Sequence, residues 1–445
     1  MSICFVAKKR DRIEVNNTHG EYVSEKQQAH LARAIVICLL GAIFYLYEFV
    51  LQVSPNVISN DLMRDLHLQA AGLGLLSASF FYAYMPMMFP AGLLYDRFGP
   101  RILLTIMVAV CATGALLFSH SKYIEVITLG RSMMGFGSAF AFIGTLVLVS
   151  RWFAAKYFPL MTGIVQAMSS VGAILGTIPL AQAVDQFGWR HSISGLAIAG
   201  FCMALAIWAI VRDSPKGHVI VKHQHSQSEW KRLVTVCKKP QTWLVGLYAF
   251  TMWAPITVFA ELWGVAYLRA TYHLGTVNAS SYITFIWIGV AIGSPLLGVI
   301  SQRLRRRCLP LIAMALLGLF AFTIIAYIEN LSSFWLYTAM LVFGFSASGC
   351  ILTFSLVREN NALATVGSAI GFNNMMVVAG GALLQPLVGI ILKYQWHGEM
   401  MDSVPIYSVN AYRLGLLVIP TCYIVALILA RFFINETYCR DIVKD

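Results

Sequence analysis

Long apolar runs separated by short polar connections alternate along the chain from residue 32 to residue 434. Each run has roughly 20 residues, the length that an α-helix needs to cross the hydrocarbon core of a bilayer. The pattern predicts an all-α integral membrane protein. Its twelve membrane-spanning helices, span 1 to span 12, are expected at 32–54, 70–95, 101–120, 123–150, 159–183, 190–211, 241–268, 279–301, 308–328, 332–357, 363–392 and 409–434.

One long polar stretch divides these runs into two sets of six. Residues 213–240 are rich in Lys, His, Gln and Ser, and they predict a linker between two six-helix bundles. We call residues 32–212 the N-half and residues 241–434 the C-half. Residues 1–31 and 435–445 are then expected to be polar tails, on the same side of the membrane as the linker.

Matching positions in the two halves indicate an internal duplication. Four pairs recur in order at a spacing of 206 or 207: His67 with His273, Gly92 with Gly298, Arg151 with Arg358, and Trp189 with Trp396. Repeated halves are a common architecture among secondary transporters, which hold their substrate between the repeats.

Composition and charge agree with this prediction and fix an orientation. The 445 residues are 58% hydrophobic and 12% charged. With both termini cytoplasmic, 25 of the 32 Lys and Arg residues fall on the inside and six on the outside. This is the positive-inside pattern, and it predicts a multi-pass protein of the cell's inner membrane. The net charge of +12 is therefore attributed to topology and anionic lipid, and no nucleic-acid partner is expected.

Three formally charged residues fall within the predicted spans: Glu48, Arg131 and Glu261. Such residues are costly in a membrane and mark functional sites by default. With span 1 ending at residue 54, Glu48 and Arg131 both lie roughly 9–12 Å below the outer surface. A carboxylate–guanidinium pair is expected there, as part of a proton or substrate site or as a static link between spans 1 and 4. Glu261 lies nearer the outer rim, where a role at the rim is as plausible as binding.

Uncharged polar and aromatic residues extend this candidate site. Tyr45 and Gln52 share one face of span 1 with Glu48, and Trp253 precedes Glu261 on span 7. Three amide side chains are also candidates for substrate binding, with helix–helix hydrogen bonding as the alternative. They are Gln166, Asn373 and Asn374.

The connection after span 2 reads "GLLYDRFGPR" at residues 92–101. It resembles the signature between helices 2 and 3 of the major facilitator superfamily, and "RSMMGFG" from Arg131 resembles that family's fourth-helix pattern. The stretches "FYLYEFVLQVSPNV" and "SRWFAAKY" resemble the branch of the lysosomal dipeptide carriers and their bacterial relatives. The resemblance covers the whole chain and implies the twelve-helix fold of that superfamily.

The resemblance also implies a role in gating for this connection. Gly92 and Gly99 would allow close helix packing and a tight turn, and Arg97 and Arg101 would hold the connection inside. Asp96 would contact Arg151 and the start of span 11, near residues 363–367, while the cytoplasmic side is shut. The alternative is a charge cluster that only sets topology.

The function implied is secondary transport of a small polar or zwitterionic organic solute, such as an amino acid, short peptide or organic acid. Proton-coupled uptake by alternating access is expected. Export or antiport of drugs or siderophores, and proton-independent uniport, are the alternatives. The fifth-helix pattern of proton-driven exporters is incomplete here, since Gly172 and Gly176 lack the Gly-Pro pair between them. The protein is also expected to be a monomer in contact with lipid, with no enzymatic activity, cofactor or metal.

Overall fold

The computed structural model describes residues 17–88, 90–153, 157–214, 234–328, 330–362, 365–401 and 404–440. Most of the predicted linker and the ends of both tails lie outside these ranges. The α-helices are Asn17–Asp65, Ala70–Met87, Pro90–Phe98, Pro100–His120, Ile124–Ser138, Ala141–Trp152, Phe158–Leu175, Ile178–Phe187, Trp189–Ile210, Pro240–Val258, Gly264–Tyr272, Thr276–Leu304, Cys308–Tyr327, Ser333–Ala347, Gly349–Glu359, Val366–Tyr394, Val409–Gly415 and Val418–Ile428. Two π-helical turns, Phe259–Trp263 and Leu429–Phe433, and a short antiparallel strand pair, Met400–Met401 with Val404–Pro405, complete the described elements.

Eleven helical segments of the described chain are long and apolar enough to cross a membrane. The all-helical membrane fold is therefore confirmed, whereas the count of twelve spans is not. The missing segment is the predicted span 2, which is described as two helices, Ala70–Met87 and Pro90–Phe98.

Span 1 extends well past its predicted end. The prediction placed its end at residue 54, directly before Pro55, a residue that disfavours the interior of a helix. The helix instead continues through Pro55 to Asp65, and the membrane-spanning segment is Leu31–Asp65. Glu48 is therefore at the middle of span 1 rather than near its outer end.

The backbone repeats along with the sequence. His67 and His273 end the first helix of each half in the left-handed conformation, with φ of 51° and 54°. Gly99 and Arg305, again 206 residues apart, also have positive φ, at 76° and 50°. An arginine thus adopts in the C-half a conformation for which the N-half uses glycine, the residue that tolerates it best.

The two halves meet at one end of the bundle and separate at the other. At the closed end, which holds the connections 66–69 and 273–275, the Ala70 amide donates to the Tyr407 hydroxyl at 2.9 Å. The Thr177 and Thr284 hydroxyls lie 2.7 Å apart at the same end. At the open end, four glycines on spans 2, 5, 8 and 11 would each accommodate a Cβ with no atom within 4 Å: Gly92, Gly163, Gly298 and Gly367.

A pocket of about 950 Å³ occupies the surface of the closed end. Residues from both halves line it, among them Asp61 and Asp185 of the N-half and Arg269, His273 and Tyr407 of the C-half. The pocket therefore bridges the two halves on the side where they are in contact.

A buried ion pair at the open end is expected to be important for stability. Arg307, before span 9, donates from Nη2 to Oε1 of Glu359 at 2.6 Å, and the two side chains are 10% and 7% exposed. Glu359→Gln removes the carboxylate that is hydrogen-bonded to the guanidinium, which should lower the free energy of unfolding by about 3–5 kcal/mol. Asp61→Asn is the matched control, because its partner Arg64 is 48% exposed and such pairs contribute at most about 1 kcal/mol. Equal losses in thermal unfolding of the purified variants would contradict this assignment.

Candidate functional site

Glu48 is the most isolated charged side chain at the centre of the bundle. It is 0% exposed, and neither carboxylate oxygen has a hydrogen-bond partner among the described residues. Burying an ionised carboxylate without donors is costly. The Ser138 hydroxyl faces this carboxyl, and Glu48 is placed to accept further donors, such as a proton or a polar group of a ligand.

Arg131 does not pair with Glu48, and the predicted pair is corrected here. Its Nη1 donates to the Leu51 carbonyl at 2.6 Å and its Nη2 donates to the Gln52 carbonyl at 2.8 Å. The guanidinium also lies 4.7 Å from the centre of the Phe80 ring. The helix extends 11 residues beyond its predicted end, so Arg131 meets span 1 about one turn away from Glu48.

Pro55 explains why the Leu51 carbonyl needs an outside donor. In an α-helix, the carbonyl of residue 51 accepts from the N–H of residue 55, and proline has no N–H. Arg131 supplies the missing donor, and the Ser54 hydroxyl adds a second one at 2.9 Å. The long helix is thus held together at its proline by a side chain from span 4.

Arg131→Lys is expected to lower the free energy of unfolding by about 1.5–3 kcal/mol, the value of one hydrogen bond to a charged group. A lysine cannot hold both carbonyls, because it lacks the planar fork of an arginine. In a Pro55→Ala background the restored N–H can bind the Leu51 carbonyl, so the same substitution should cost at most half as much. Thermal and denaturant unfolding of the four proteins measures this coupling. Additivity of the two substitutions would contradict it.

Gln52 connects the two halves through Glu261. Its Nε2 donates to Oε1 of Glu261 at 3.0 Å, and Oε2 of Glu261 has no partner among the described residues. Gln52 lies one helical turn beyond Glu48, roughly 6 Å along the axis. The two carboxylates are thus brought to neighbouring levels where spans 1 and 7 meet.

Asn56 makes a second contact between the halves, at the π-helical turn of span 7. Its Nδ2 donates to the Ala260 carbonyl at 2.7 Å, and its Oδ1 accepts from the Val265 amide at 3.0 Å. These are the two groups that the next π-type hydrogen bond, five residues apart, would join. The side-chain amide of Asn56 therefore takes the place of one backbone hydrogen bond in span 7 of the other half. We call this arrangement the Asn56 clasp.

Aromatic rings from both halves form a continuous set beside the carboxylates, which we call the aromatic wall. It comprises Tyr45, Phe49, Phe142, Trp253 and Trp287. Ring centres are separated by 5.1 Å for Tyr45 and Phe142, 5.3 Å for Tyr45 and Phe49, 6.2 Å for Phe49 and Trp287, and 6.4 Å for Trp253 and Trp287. The indole nitrogen of Trp287 is buried without a partner among the described residues.

The three predicted amide side chains have different surroundings. Asn373 donates to the Thr353 hydroxyl at 2.9 Å, and its oxygen has no partner among the described residues. Asn374 donates to the sulfur of Met88 in the other half at 2.9 Å, and Gln166 donates to the Ser169 hydroxyl at 3.3 Å. Asn373 and Gln166 therefore take part in contacts within one half, while Asn374 crosses between the halves.

The connection 92–101 is anchored to the N-half. The Arg101 amide donates to Asp213 at 2.8 Å, and the Arg101 side chain donates to the Trp208 carbonyl at 3.0 Å. The tight turn predicted at Gly99 is present, with φ of 76° and Asp213 packed against it. Close packing at Gly92 is absent in this conformation.

Two parts of the predicted gating contact remain predictions. The side chain of Asp96 and residues 363–364 lie outside the described part of the chain, so the structure does not test a contact from Asp96 to Arg151 or to the start of span 11. Arg97 lies 5.2 Å from the ring of Phe98, its neighbour in the sequence.

Asn56 and Pro55 were not selected from the sequence. A signal was present for Asn56, which lies four residues after Gln52 and eight after Glu48 and so shares their face of the helix. Pro55 lies directly after the predicted end of span 1, and no role was predicted for it.

These features define a class of protein. A bundle of membrane-spanning helices in two similar halves, closed at one end and holding carboxylates where the halves meet, has the architecture of a membrane carrier. The chain belongs to the Major Facilitator Superfamily, whose family model matches residues 35–386. The superfamily predicted from the loop signature is thereby confirmed. The narrower resemblance to the dipeptide-carrier branch stays a prediction.

Similar proteins are transporters rather than enzymes. The chain is 24% identical over 384 residues to the hexuronate transporter of Bacillus subtilis, covering 80% of this chain and 87% of that one. It is 21% identical over 292 residues to the probable sulfoacetate transporter SauU of Cupriavidus necator, covering 61% of this chain and 65% of the relative. That last share is slightly under two thirds of the relative's length.

A solved structure shows the same fold. A bacterial homologue of the human lysosomal transporter Spinster, in an inward-facing and unoccupied conformation, matches with a TM-score of 0.72 at 14% identity. The match covers 90% of this chain and 96% of the homologue.

Proposed function

We propose that this chain is a secondary active transporter that couples the movement of a small polar or zwitterionic organic solute to proton binding at Glu48. The observation that carries the proposal is the complete burial of Glu48 at the middle of span 1, with both oxygens unpartnered among the described residues. Burying a carboxylate in this way costs free energy. A carboxylate buried where two moving halves meet is suited to binding a proton in one conformation and releasing it in another.

Orientation and motion form part of the same proposal. With both termini cytoplasmic in the inner membrane, the open end faces the cytoplasm and the closed end faces outward. The halves would rock so that the closed end opens while the open end shuts. Asp96 would then reach Arg151 and span 11, and Gly92 would pack closely. The carrier is proposed to act as a monomer.

The direction of coupling has two candidates. Proton-coupled uptake is the first, with a substrate carboxylate bound to Arg131 while Glu48 takes the proton. Exchange of the solute against a proton is the second. It is favoured by the engagement of both terminal nitrogens of Arg131 with the Leu51 and Gln52 carbonyls, which leaves the buried Nε as the free donor of this guanidinium.

Solute-induced proton movement distinguishes these candidates. The full chain would be reconstituted into vesicles that contain a pH-sensitive dye, and amino acids, short peptides, organic acids, sugars and amines would be added outside. Acidification of the lumen on solute entry indicates uptake with a proton, and alkalinisation indicates exchange. Solute entry without a pH change overturns the proton coupling, and failure to transport any solute overturns the carrier function.

Two controls accompany that experiment. Protein-free vesicles report passive leakage of each solute. Glu125→Gln changes an exposed carboxylate at the end of span 4, away from the site, and should behave as the unmodified protein.

A further inference from the structure

The charged side chains at the centre of the bundle differ in how many hydrogen-bonding groups they have free for a ligand. Within the described residues, Arg131 is the basic side chain that lies deep inside the membrane-spanning segments, and it is 1% exposed. Both of its terminal nitrogens donate to carbonyls of span 1 and its guanidinium faces Phe80, so that among its donors Nε alone is without a partner in the described residues. Since Pro55 leaves the Leu51 carbonyl without a helical donor, moving both terminal nitrogens of Arg131 to bind an anion would leave that carbonyl with the Ser54 hydroxyl alone and would remove the hydrogen bond to the Gln52 carbonyl.

The carboxylates, in contrast, have unused acceptors. Both oxygens of Glu48 and Oε2 of Glu261 are buried without a donor among the described residues. Glu48 is faced by Tyr45 of its own helix, Tyr84 of span 2, Cys111 of span 3, Ser138 of span 4 and Glu261 of span 7. No cation is among these neighbours of Glu48, whereas Glu261 is also faced by Arg131. With two carboxylates and one guanidinium, the site favours a ligand that brings hydrogen-bond donors and positive charge.

The aromatic wall fits the same kind of ligand. Cations are attracted to the faces of Trp, Tyr and Phe rings, and the attraction grows when water is excluded. Tyr45 and Phe49 flank Glu48 along span 1, and Trp253 lies two turns from Glu261 along span 7. Carboxylates beside such a wall provide both the charge and the apolar surface that an organic ammonium needs.

We propose that the solute carried at this site is a protonated amine, with its ammonium between Glu48 and Glu261 and its apolar body against the aromatic wall. The inference rests on the proposed function, proton-coupled transport at Glu48, and it names the solute class. It departs from the acids named for the relatives, sulfoacetate and hexuronate. Proton and ammonium compete for the same carboxylate, so the carrier exchanges one for the other.

Matched ligands that differ in a single charged group test the inference. One set is 2-phenylethylamine, phenylalanine and 3-phenylpropionate, and the other is pentylamine, norleucine and hexanoate. Each set presents an ammonium alone, both charges, or a carboxylate alone on one skeleton. Polyamines and amino sugars extend the panel. Binding to the purified full chain would be measured by thermal stabilisation, and proton release would be measured in weakly buffered solution.

We expect the amine of at least one skeleton to bind most tightly and to release a proton on binding. Its dissociation constant should rise about tenfold per unit fall in pH while Glu48 is protonated in the free protein. Glu48→Gln should abolish the proton release, whereas Glu125→Gln should not. Tighter binding of the carboxylates, binding of amines without proton release, or no binding by any amine would each overturn the inference.

Transport measurements keep this inference separate from the proposed function. Proton-coupled transport of acids but not of amines would overturn the amine assignment and leave the proposed function standing. Amine binding without transport of any solute would overturn the carrier function instead.

Discussion

Glu48→Gln is expected to abolish solute accumulation driven by a pH gradient, reducing the inside-to-outside ratio in proteoliposomes to about 1. Glutamine keeps the volume of the side chain but cannot exchange a proton at neutral pH. The variant also lacks the charge that an ammonium would meet, so the half-saturating concentration of an amine in counterflow should rise by about 10–100-fold, as for other lost charge pairs.

The control for this variant is Glu125→Gln, which should accumulate solute as the unmodified protein does. Thermal stability of Glu48→Gln should also be equal to or higher than that of the parent, because the amide is neutral in the buried site without taking up a proton. Continued accumulation on a pH gradient would show that the proton binds elsewhere, with Glu261 next to test. If replacing both Glu48 and Glu261 leaves solute transport unchanged, the protein is a uniporter.

Asn56→Ala is expected to shift the protein towards the conformation that is open at the present closed end. The change removes both hydrogen bonds of the Asn56 clasp and exposes two groups of the π-helical turn to water or to each other. At about 1 kcal/mol per bond, the shift amounts to roughly 2 kcal/mol, or about 30-fold in the population ratio.

Spin labels at residues 123 and 394 report this shift. Tyr123 of the N-half and Tyr394 of the C-half are 73% and 81% exposed at the closed end, so labels there should perturb little. In a background without native cysteines, Asn56→Ala should increase the fraction of long distances between them. Asn60→Ala, one turn further along the same helix, is the matched control. Identical distance distributions for Asn56→Ala and the parent would rule out the clasp as a determinant of this equilibrium.

The sequence identified the helices and the buried charges, because both follow from local composition. Apolar length predicts a span wherever it occurs, and Glu48 and Glu261 stood out as carboxylates inside such runs. The superfamily also followed from local sequence, since the loop signature around Asp96 occupies ten residues. Each of these predictions needed only neighbouring residues.

Pairings between helices could not be predicted in the same way. The expected contact of Glu48 with Arg131 depended on the depth of each residue, and that depth depended on where span 1 ends. Pro55 would normally end the helix, but Arg131 satisfies the carbonyl that it frees. The position where span 1 ends and the partner of Arg131 are thus both decided by one contact between spans 1 and 4. The sequence of neither span shows this contact alone. The same holds for Asn56, whose partners are backbone atoms of a π-helical turn in the other half.

The pocket at the closed end has a pharmacological consequence. It is lined by both halves, so it exists in this form only while they are in contact. A compound that fits it would bind this conformation alone and stabilise it by mass action, by about 2.7 kcal/mol at a concentration one hundred times its dissociation constant. In the proposed orientation such an inhibitor acts from outside the cell, without competing with the solute and without crossing the membrane.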